Sequence, residues 1–335
     1  MSVAVENKRV ERLFDKYVSP TKVNCYKEGR YYFAWIEVTN RCPGSCAYCY
    51  VTTIDKPEDI SIPEEKLREI IDDIKALKVH HIYWGGGDPL LYPQLFPLLE
   101  YARAQGMSNG VFTSGLTLTK DMCKKLVKAS QDRLINVLGI HIDTLDEEIG
   151  QQVFLHPKDL MNRIDGYKRL LDAGFPPERV FNCVTLTKPS AETFEETFDW
   201  SIDDMGARFM EIMVFVPESR GTRNTHFEPS LSQVRQAYEY RAKRMGDPTW
   251  ARIGSTECSI IHCRTYFCVT AEGNVVPCFP LQHIVVGNIY QGRLRDIAEN
   301  NLDTLTLRNI AVKGKCANCE NNDVCMGCRA EAYHY

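Results

Sequence analysis

The sequence of 335 residues contains 14 cysteines, and their positions are its most informative chemical feature. Three of them, Cys42, Cys46 and Cys49, lie on one short segment, and most of the others are concentrated in the C-terminal quarter. A reducing intracellular compartment would not keep so many thiols as disulfides. Cysteines that only fill a core would be scattered along the chain. The clustering therefore predicts metal centres.

The first group reads Cys42-Pro-Gly-Ser-Cys46-Ala-Tyr-Cys49, which is a C-x3-C-x2-C spacing. Three thiolates on one loop can bind three irons of a [4Fe-4S] cluster and leave the fourth iron open to an outside ligand. Zinc would need a fourth protein ligand, and the nearest histidines, His80 and His81, lie on a later strand. The spacing favours an iron–sulfur cluster over zinc or a structural group of thiols.

The second group is spread over a longer stretch near the C-terminus. Its members follow the pattern Cys258-x4-Cys263-x14-Cys278, then Cys316-x2-Cys319-x5-Cys325-x2-Cys328. Gly273 is placed to turn a hairpin between the β-rich runs 267–269 and 275–277. Pairs of the C-x2-C type occur in zinc ribbons as well as in cluster sites, so the spacing alone leaves both open.

The elements that must position these residues alternate between β-rich runs and segments with helical periodicity, as in parallel strands joined by crossover helices. Six strands are predicted: Tyr32–Val38, Val79–Trp84, Gly110–Thr113, Ile135–Ile142, Val180–Leu186 and Phe209–Phe215. Six β/α units fall short of the eight that close a full barrel. We therefore expect an α/β fold: a partial (β/α)6 TIM-type barrel whose missing wall is covered by a small, cysteine-rich, iron–sulfur C-terminal domain.

Helix signals support this interpretation. Ser61 and Glu64 predict a capping box with Pro63 in the first turn, and Leu67, Ile70, Ile71, Ile74 and Leu77 form one apolar stripe. Further helices are expected over Asn162–Ala173, ending at Gly174, and over Leu231–Met245. The predicted domains are a helical extension (1–30), the barrel (31–225), a helical linker (226–250) and the cysteine-rich domain (251–335).

Composition excludes several classes of partner. The net charge of −4 and the lack of a basic run argue against nucleic acid. No stretch approaches the roughly 20 apolar residues of a membrane span, and residues 1–30 lack the apolar core of a signal peptide. We expect a cytoplasmic protein.

The first cysteine group resembles the cluster motif of the radical S-adenosylmethionine (radical SAM) enzymes. The resemblance rests on Thr39-Asn40-Arg41-Cys42, Cys46, Tyr48 and Cys49. It implies a [4Fe-4S] cluster held by the three cysteines, SAM chelated to the open iron, and reductive cleavage of SAM to a 5'-deoxyadenosyl radical that abstracts a substrate hydrogen. In such enzymes the aromatic residue at the position of Tyr48 lies near the adenine.

Three further segments, each at the end of a predicted strand, resemble SAM contacts of this family. Gly86, Gly87 and Asp88 follow strand two and resemble a G-G-E-P motif that holds the SAM amino group, with Asp in place of Glu. Ser114 closes strand three where the family often has T-N-G. His141 and Asp143 end strand four, where polar residues often reach the SAM ribose; a hydrogen-bonded barrel residue is the alternative for His141.

The C-terminal cysteines resemble the SPASM domain that follows the barrel in a large radical SAM subgroup and that holds two auxiliary [4Fe-4S] clusters. The resemblance assigns Cys258, Cys263, Cys278 and Cys328 to the first cluster, and Cys316, Cys319 and Cys325 to the second. The final pair is C-x2-C where C-x3-C is usual, and the sequence stops at Tyr335 before the usual last cysteine. The fourth ligand of the second cluster is expected to be Cys268, His334, water, substrate or a residue of a longer chain, and Cys268 could equally fill a small core.

The resemblance implies a radical SAM oxidoreductase that oxidises or cross-links its substrate, with a peptide or protein side chain as the expected target. A porphyrin propionate decarboxylase or another small-molecule enzyme is the alternative within the family. A non-catalytic iron–sulfur or zinc protein that transfers electrons or binds a partner is the alternative outside it. The expected partners are a low-potential electron donor such as ferredoxin or flavodoxin and, because residues 1–30 are too few for a peptide-recognition domain, a separate peptide-recognition protein.

Overall fold

The computed structural model describes residues 18–246, 251, 259–319, 321–322 and 324–334. A nine-stranded sheet organises them, with the strand order β6-β5-β4-β3-β2-β1-β7-β8-β9. Strands β1 to β6 are parallel, as is the pairing of β7 with β1, whereas β8 and β9 run antiparallel to their neighbours. The strands are β1 (Phe33–Thr39), β2 (His81–Gly86), β3 (Ser108–Thr113), β4 (Val137–Ile140), β5 (Val180–Leu186), β6 (Phe209–Val214), β7 (Tyr266–Val269), β8 (Asn274–Val276) and β9 (Gly287–Asn288).

All six predicted strands are present, and β5 has the predicted bounds. The expected hairpin is also present: β7 and β8 pair around Gly273, whose φ of +83° is readily adopted by glycine. This hairpin does not stand apart from the barrel. Because β7 pairs with β1, the C-terminal module continues the barrel sheet beyond its first strand.

Helices connect the strands and cover one face of the sheet. They are α1 (Pro20–Lys27), α2 (Glu64–Ala76), α3 (Leu95–Ala104), α4 (Lys120–Gln131), α5 (Glu147–Phe154), α6 (Asp159–Asp172), α7 (Phe194–Asp199), α8 (Leu231–Arg244), α9 (Ile260–Cys263), α10 (Leu294–Asn300), α11 (Leu302–Leu305), α12 (Gly314–Ala317) and α13 (Arg329–His334). Strand residues such as Ile36, Ile82 and Leu138 pack with helix residues such as Ile71 and Leu98 in the main core. Since side chains alternate along a strand, the intervening residues face the inside of the barrel.

The predicted capping box at the start of α2 is wrong. The helix begins at Glu64 after Pro63, without a side-chain cap. Ser61 instead forms a bridge with the end of β1, and its hydroxyl donates to Thr39 Oγ1 at 2.8 Å. The competing contact with β1 therefore removes Ser61 from the helix.

The predicted linker helix is present as α8, with a complete capping box between Ser230 and Gln233. Its residue Ala237 belongs to a core cluster with Val184 of β5 and Met210 of β6. This helix therefore packs on the last strands of the barrel. Of the predicted N-terminal extension, the structure describes α1; residues 1–17 lie outside the described part, as does Cys258. Within the described helices, none is long and apolar enough to cross a membrane.

Candidate active site

The three clustered cysteines lie on a loop that we call the triad loop (residues 40–60), which directly follows β1. The buried side chain of Asn40 holds the two ends of this loop together. Its Nδ2 donates to the carbonyl oxygens of Thr53 and Glu58, both at 3.0 Å, and its Oδ1 accepts from the Ile60 N–H at 2.9 Å. The loop is therefore closed by the protein itself.

The triad thiols are partly buried and lie close to one another. Burial raises the pKa of Cys42 to about 12, and the neighbouring Asp88 and Cys46 add to this. Burial also raises the pKa of Cys49, with Cys46 again adding. Neutral thiols must lose protons before they bind a metal, so loading of this site is expected to release protons.

Arg163 on α6 is a functional-site residue that the sequence reasoning missed. It is fully buried. Its Nη2 donates to Cys46 Sγ at 3.3 Å, and its Nη1 donates to the carbonyl oxygens of Ser114 at 2.9 Å and His141 at 3.0 Å. The guanidinium carbon lies 4.2 Å from the centre of the Phe154 ring. One available signal was the position of this charged residue among buried apolar residues of its helix.

The glycine run after β2 packs directly against the triad loop. The Gly87 N–H donates to Thr39 O and the Asp88 N–H donates to Arg41 O, both at 2.7 Å. A Cβ on Gly87 would lie 2.1 Å from Arg41 O, which leaves no room for any side chain. Gly86, at a φ of +113°, would place a Cβ 2.5 Å from Thr39 O. These glycines bring the run and the triad loop together at one end of the barrel.

The Asp88 carboxylate joins two loops. It is fully buried. Its Oδ2 accepts from Thr113 Oγ1 (2.9 Å), Ser114 N–H (3.1 Å), Ser114 Oγ (2.6 Å) and Thr117 Oγ1 (3.1 Å), while its Oδ1 accepts from the Leu90 N–H at 3.1 Å. The expected contact with the SAM amino group would have to compete with these bonds, so backbone carbonyls of the glycine run are better placed to make it.

Tyr48, His141 and Asp143 form one hydrogen-bonded group. Tyr48 Oη donates to Asp143 and lies 2.9 Å from His141 Nε2. His141 Nε2 is 2.9 Å from Asp143 Oδ1, which also accepts from the Thr185 N–H at 2.8 Å. Burial and the adjacent Asp143 carboxylate raise the pKa of Tyr48 well above its usual value. His141 is thus a hydrogen-bonded barrel residue, and its position beside Tyr48 keeps it among the candidate SAM contacts.

Arg220, which follows β6, is not a free surface arginine. Its side chain pairs with Asp55, at 2.7 Å from Nε and 2.6 Å from Nη2. Its backbone N–H donates to Cys49 O at 3.2 Å, and its Nη1 donates to Cys46 O at 3.5 Å. Arg220 therefore holds the triad loop at Cys46, Cys49 and Asp55, in addition to the bonds that Asn40 makes within the loop.

Three of the four cysteines expected in the first auxiliary group belong to the described residues, and Cys258 lies outside them. Burial raises the pKa of Cys263 to about 12, and the nearby Cys328 and Cys325 add to the effect. The pKa of Cys278 is likewise raised by burial, with Cys263 and Cys328 as neighbours, while Tyr266 Oη donates to Cys278 Sγ at 2.8 Å. Cys263, Cys278 and Cys328 are thus neighbours in the fold.

The second group contains Cys316, Cys319 and Cys325. Burial raises the pKa of Cys325, and both Cys316 and Cys319 contribute to the shift. Cys316 and Cys319 are exposed, whereas Cys325 is partly buried. Over the described ranges, no three His, Cys, Asp or Glu side chains surround a position for a single metal ion.

Neither residue expected as a fourth ligand accompanies the second group. Cys268 on β7 is buried in a small core with Tyr32 and Phe33. The charged or ionisable groups near its thiol are those of Cys278 and Glu37. His334 Nε2 lies 3.0 Å from Oε2 of Glu218, a residue that follows β6 in the sequence. Both side chains are therefore committed to other contacts.

Comparison with known families decides the identity of this architecture. The model of the radical SAM superfamily matches residues 36–201, and that of the SPASM iron–sulfur cluster-binding domain matches residues 258–329. This chain is a radical SAM enzyme with a SPASM domain. Its cofactors are SAM, a [4Fe-4S] cluster and auxiliary iron–sulfur clusters.

Similar curated proteins carry out two kinds of chemistry. The AdoMet-dependent heme synthase of Methanosarcina barkeri is 26% identical over 329 residues, covering 90% of this chain and 91% of the relative. The mycofactocin maturase MftC of Mycolicibacterium smegmatis is 23% identical over 314 residues, covering 87% and 76%. Sequence similarity alone therefore does not select the substrate of this radical SAM enzyme.

Solved structures share the fold. SuiB of Streptococcus suis bound to S-adenosylmethionine gives a TM-score of 0.69 at 17% identity, covering 94% of this chain and 78% of SuiB. Native anSMEcpe with bound AdoMet gives 0.67 at 16% identity, covering 89% of both chains. These similarities confirm the expected partial barrel with a C-terminal module.

The triad loop of this radical SAM enzyme fits a cluster with one open iron. Its three thiols lie on one closed loop, and two N–H groups, from Gly44 at 3.4 Å and Arg163 at 3.3 Å, already point at the sulfurs of Cys42 and Cys46. Donors aimed at sulfur favour thiolate ligands because such bonds are stronger to an anion. The donor set therefore suits the cofactor that the family requires.

Proposed function

We propose that this radical SAM enzyme oxidises or cross-links an apolar or aromatic side chain of a peptide or protein. Cys42, Cys46 and Cys49 would bind the SAM-cleaving cluster, which when loaded supplies the electron that converts SAM to a 5'-deoxyadenosyl radical. The proposed SAM contacts are Tyr48, the backbone of Gly86 and Gly87, Ser114, His141 and Asp143. Asp88 would hold the loops that carry these contacts.

The proposed auxiliary ligands follow the two cysteine groups. Cys258, Cys263, Cys278 and Cys328 would hold one cluster, and Cys316, Cys319 and Cys325 the other. A low-potential donor such as ferredoxin or flavodoxin would supply electrons. We retain the barrel (31–225), the helix that follows it (226–250) and the SPASM region (251–335) as proposed functional units, with residues 1–30 preceding them.

The inside of the barrel, which we call the lumen, carries the argument about the substrate. We define the lumen by the inward-facing residues of β1 to β6 together with Phe279, which follows β8 and packs against Trp35. Aromatic rings line it near the triad loop: the Trp35 ring centre lies 5.0 Å from that of Phe112 and 5.3 Å from that of Phe279, and Tyr83 lies 5.5 Å from Phe112. Trp35, Tyr83, Phe112 and Phe279 are all partly exposed. Such a surface favours an apolar or aromatic group.

The charged residues of the lumen also favour a substrate group that is apolar or aromatic over an anionic one. The inward positions of β1 to β6 include the carboxyl residues Glu37 and Glu211 but neither lysine nor arginine. The pKa of His81 is lowered to about 4, mainly by burial, so this ring is neutral at pH 7. A porphyrin with several propionates would need cationic partners for its carboxylates. The lumen instead favours a group without negative charge.

One donor in the lumen has no protein partner. The indole N–H of Trp35 is buried without a hydrogen bond. A buried donor of this kind costs free energy unless a ligand or water accepts its hydrogen bond. We assign it to an acceptor on the substrate, such as a peptide carbonyl or phenol oxygen.

Deuterium transfer tests this proposal. Reconstituted enzyme with SAM and dithionite is given either iron coproporphyrin or a pool of small peptides from cells grown on deuterated aromatic and aliphatic amino acids. We expect deuterium in the 5'-deoxyadenosine from the peptide pool, and we expect iron coproporphyrin to remain intact. Decarboxylation of the porphyrin, with no deuterium from the peptides, would overturn the proposal. Trp35→Phe should raise KM for the peptide substrate more than it lowers kcat.

A further inference from the structure

Arg163 is a fully buried cation, and none of its hydrogen bonds to described residues goes to a carboxylate. The Asp143 carboxylate interacts with its charge without accepting one of these bonds. The hydrogen bonds of Arg163 within the described residues go to two backbone carbonyls and to Cys46 Sγ, and its Nε has no partner. Burying a cation is costly unless an anion that also accepts its hydrogen bonds compensates the charge. The thiolates of a loaded cluster would supply that anion at the place where the guanidinium already points.

The triad loop leaves room for this approach. Gly44 lies between Cys42 and Cys46, and a Cβ added there would lie 3.0 Å from Arg163 Nη2. An alanine at this position would press on the guanidinium and weaken its contact with Cys46. The glycine within the cysteine motif is thus matched to an arginine on a distant helix.

Arg163 also reaches the other parts of the rim. The carbonyls that it binds belong to Ser114, after β3, and to His141, after β4. Its aliphatic and planar surfaces pack over Phe154, the last residue of α5. A single side chain therefore fixes the triad loop relative to two strand ends that carry proposed SAM contacts.

We propose that Arg163 is a positioning residue for the SAM-cleaving cluster, in which it donates an N–H···S bond to Cys46 and places a buried positive charge that favours the reduced form. Hydrogen bonds to cluster sulfurs and nearby charge both set the reduction potential of such a cluster. Reduction adds one electron to the cluster and moves no proton, so the fixed guanidinium charge favours it directly.

Reduction potentials measured without SAM test the proposal, and they do not involve the substrate. We compare the wild type with Arg163→Met, which removes charge and donors, and with Arg163→Lys, which keeps the charge. Arg169→Met is the matched control, because Arg169 lies on the same helix and donates to Leu118 O at 2.6 Å without contacting the triad loop. The auxiliary clusters provide an internal standard.

We expect a more negative potential for the SAM-cleaving cluster in Arg163→Met, a partial return in Arg163→Lys, and no change in Arg169→Met or in the auxiliary clusters. A wild-type potential in Arg163→Met would overturn the proposal. If Arg163→Met does not retain the cluster, Arg163→Gln serves in its place, since its amide can still donate to sulfur but carries no charge.

Iron retention gives a second readout. Under a chelator, Arg163→Met should lose the iron of the triad several-fold faster than the wild type and keep its auxiliary iron. Equal loss from all clusters, or loss of folding in both Arg163→Met and Arg163→Gln, would show a general structural role and would contradict the proposal.

Discussion

The triad loop and the C-terminal segment 311–319 carry cysteines of similar chemistry but are held in different ways. The triad loop is closed by Asn40, fastened by Arg220 and contacted by the buried Arg163. In the C-terminal segment, α12 has no buried residue, and Cys316 and Cys319 are exposed.

The two cluster sites therefore differ in how much of their structure forms before metal binds. The barrel shapes the first site through contacts from distant parts of the chain, so the loop is arranged before metal binds. In the described part of the second site, segment 311–319 buries no residue, and metal binding is therefore expected to supply much of its folding free energy. Stability should be unequal across the molecule, with the lower value at the second site.

The largest effect is expected from removal of the triad thiols. Replacing Cys42, Cys46 and Cys49 together by Ala should abolish SAM cleavage, because no other ligand can hold that cluster, while auxiliary iron is retained. Iron content and formation of 5'-deoxyadenosine provide the measurements. Cys123→Ala, which removes a buried thiol on α4, is the control. SAM cleavage by the triple variant would show that the active cluster lies elsewhere.

The second cluster should be the most labile. Anaerobically reconstituted protein should approach about 12 irons per chain, and brief exposure to air or a chelator should first remove the share held by Cys316, Cys319 and Cys325. Cys319→Ser should eliminate this labile fraction and leave the remaining iron unchanged. About four irons with stoichiometric zinc would instead show that the C-terminal cysteines form zinc knuckles.

Glu37 on β1 is linked through Gln282, which follows β8, to the triad loop, and it makes stability depend on pH. Its Oε1 accepts from Gln282 Nε2 at 2.9 Å, and Gln282 Oε1 accepts from Thr52 Oγ1 at 2.7 Å. Burial raises the pKa of Glu37 to about 8. The raised pKa contributes stability below the usual pKa of a glutamate, and this contribution is lost as the pH rises through about 8.

Glu37→Gln removes this pH dependence. The stability of the wild type relative to the variant should fall by roughly 3 to 5 kcal/mol from pH 4.5 to above pH 8, as each pKa unit corresponds to ~1.4 kcal/mol. Thermal midpoints of both proteins over this range provide the measurement. Glu239→Gln, at an exposed carboxylate paired with Arg235, should keep the wild-type slope. Parallel curves for the wild type and Glu37→Gln would contradict the assignment.

A smaller effect is expected at Asp88, whose contacts arrange the barrel rim. Asp88→Asn should cost roughly 2 to 3 kcal/mol, because an amide nitrogen then faces hydroxyl and N–H donors in a buried site. The affinity for SAM should fall as well, because Asp88 holds the loops that carry the proposed SAM contacts. Asp72→Asn, at a surface carboxylate that accepts from Tyr101, should leave both unchanged. Full stability in Asp88→Asn would show that the rim does not depend on this carboxylate.

Local sequence patterns predicted much of this architecture. The strands and the hairpin at Gly273 depend on the alternation of apolar residues and on turn residues, which are local features of the sequence. β5 accordingly has the predicted bounds. The contacts that span the chain were not predictable in this way. Ser61 bonds to Thr39 instead of capping α2. Arg163 contacts Cys46, which lies 117 positions away in the sequence.

The sequence around Arg163 does contain a signal that this residue is buried. It occupies a position in the buried stripe of α6, next to Ile164 and one turn from Tyr167 and Leu160. A charged residue in such a stripe needs a partner inside the protein. The pattern identifies a buried cation but not its partner, because the partner depends on how the helix packs on the rim.

Hydrogen–deuterium exchange, measured on cluster-free and fully reconstituted protein, directly tests whether the triad loop is arranged before metal binds while residues 311–319 are not. We predict that amides of the triad loop and of β1 keep similar protection in both forms, whereas amides of residues 311–319 become protected only when the clusters are present. Loss of protection in the triad loop as large as that in residues 311–319 would contradict the claim that the barrel arranges its site before metal binds.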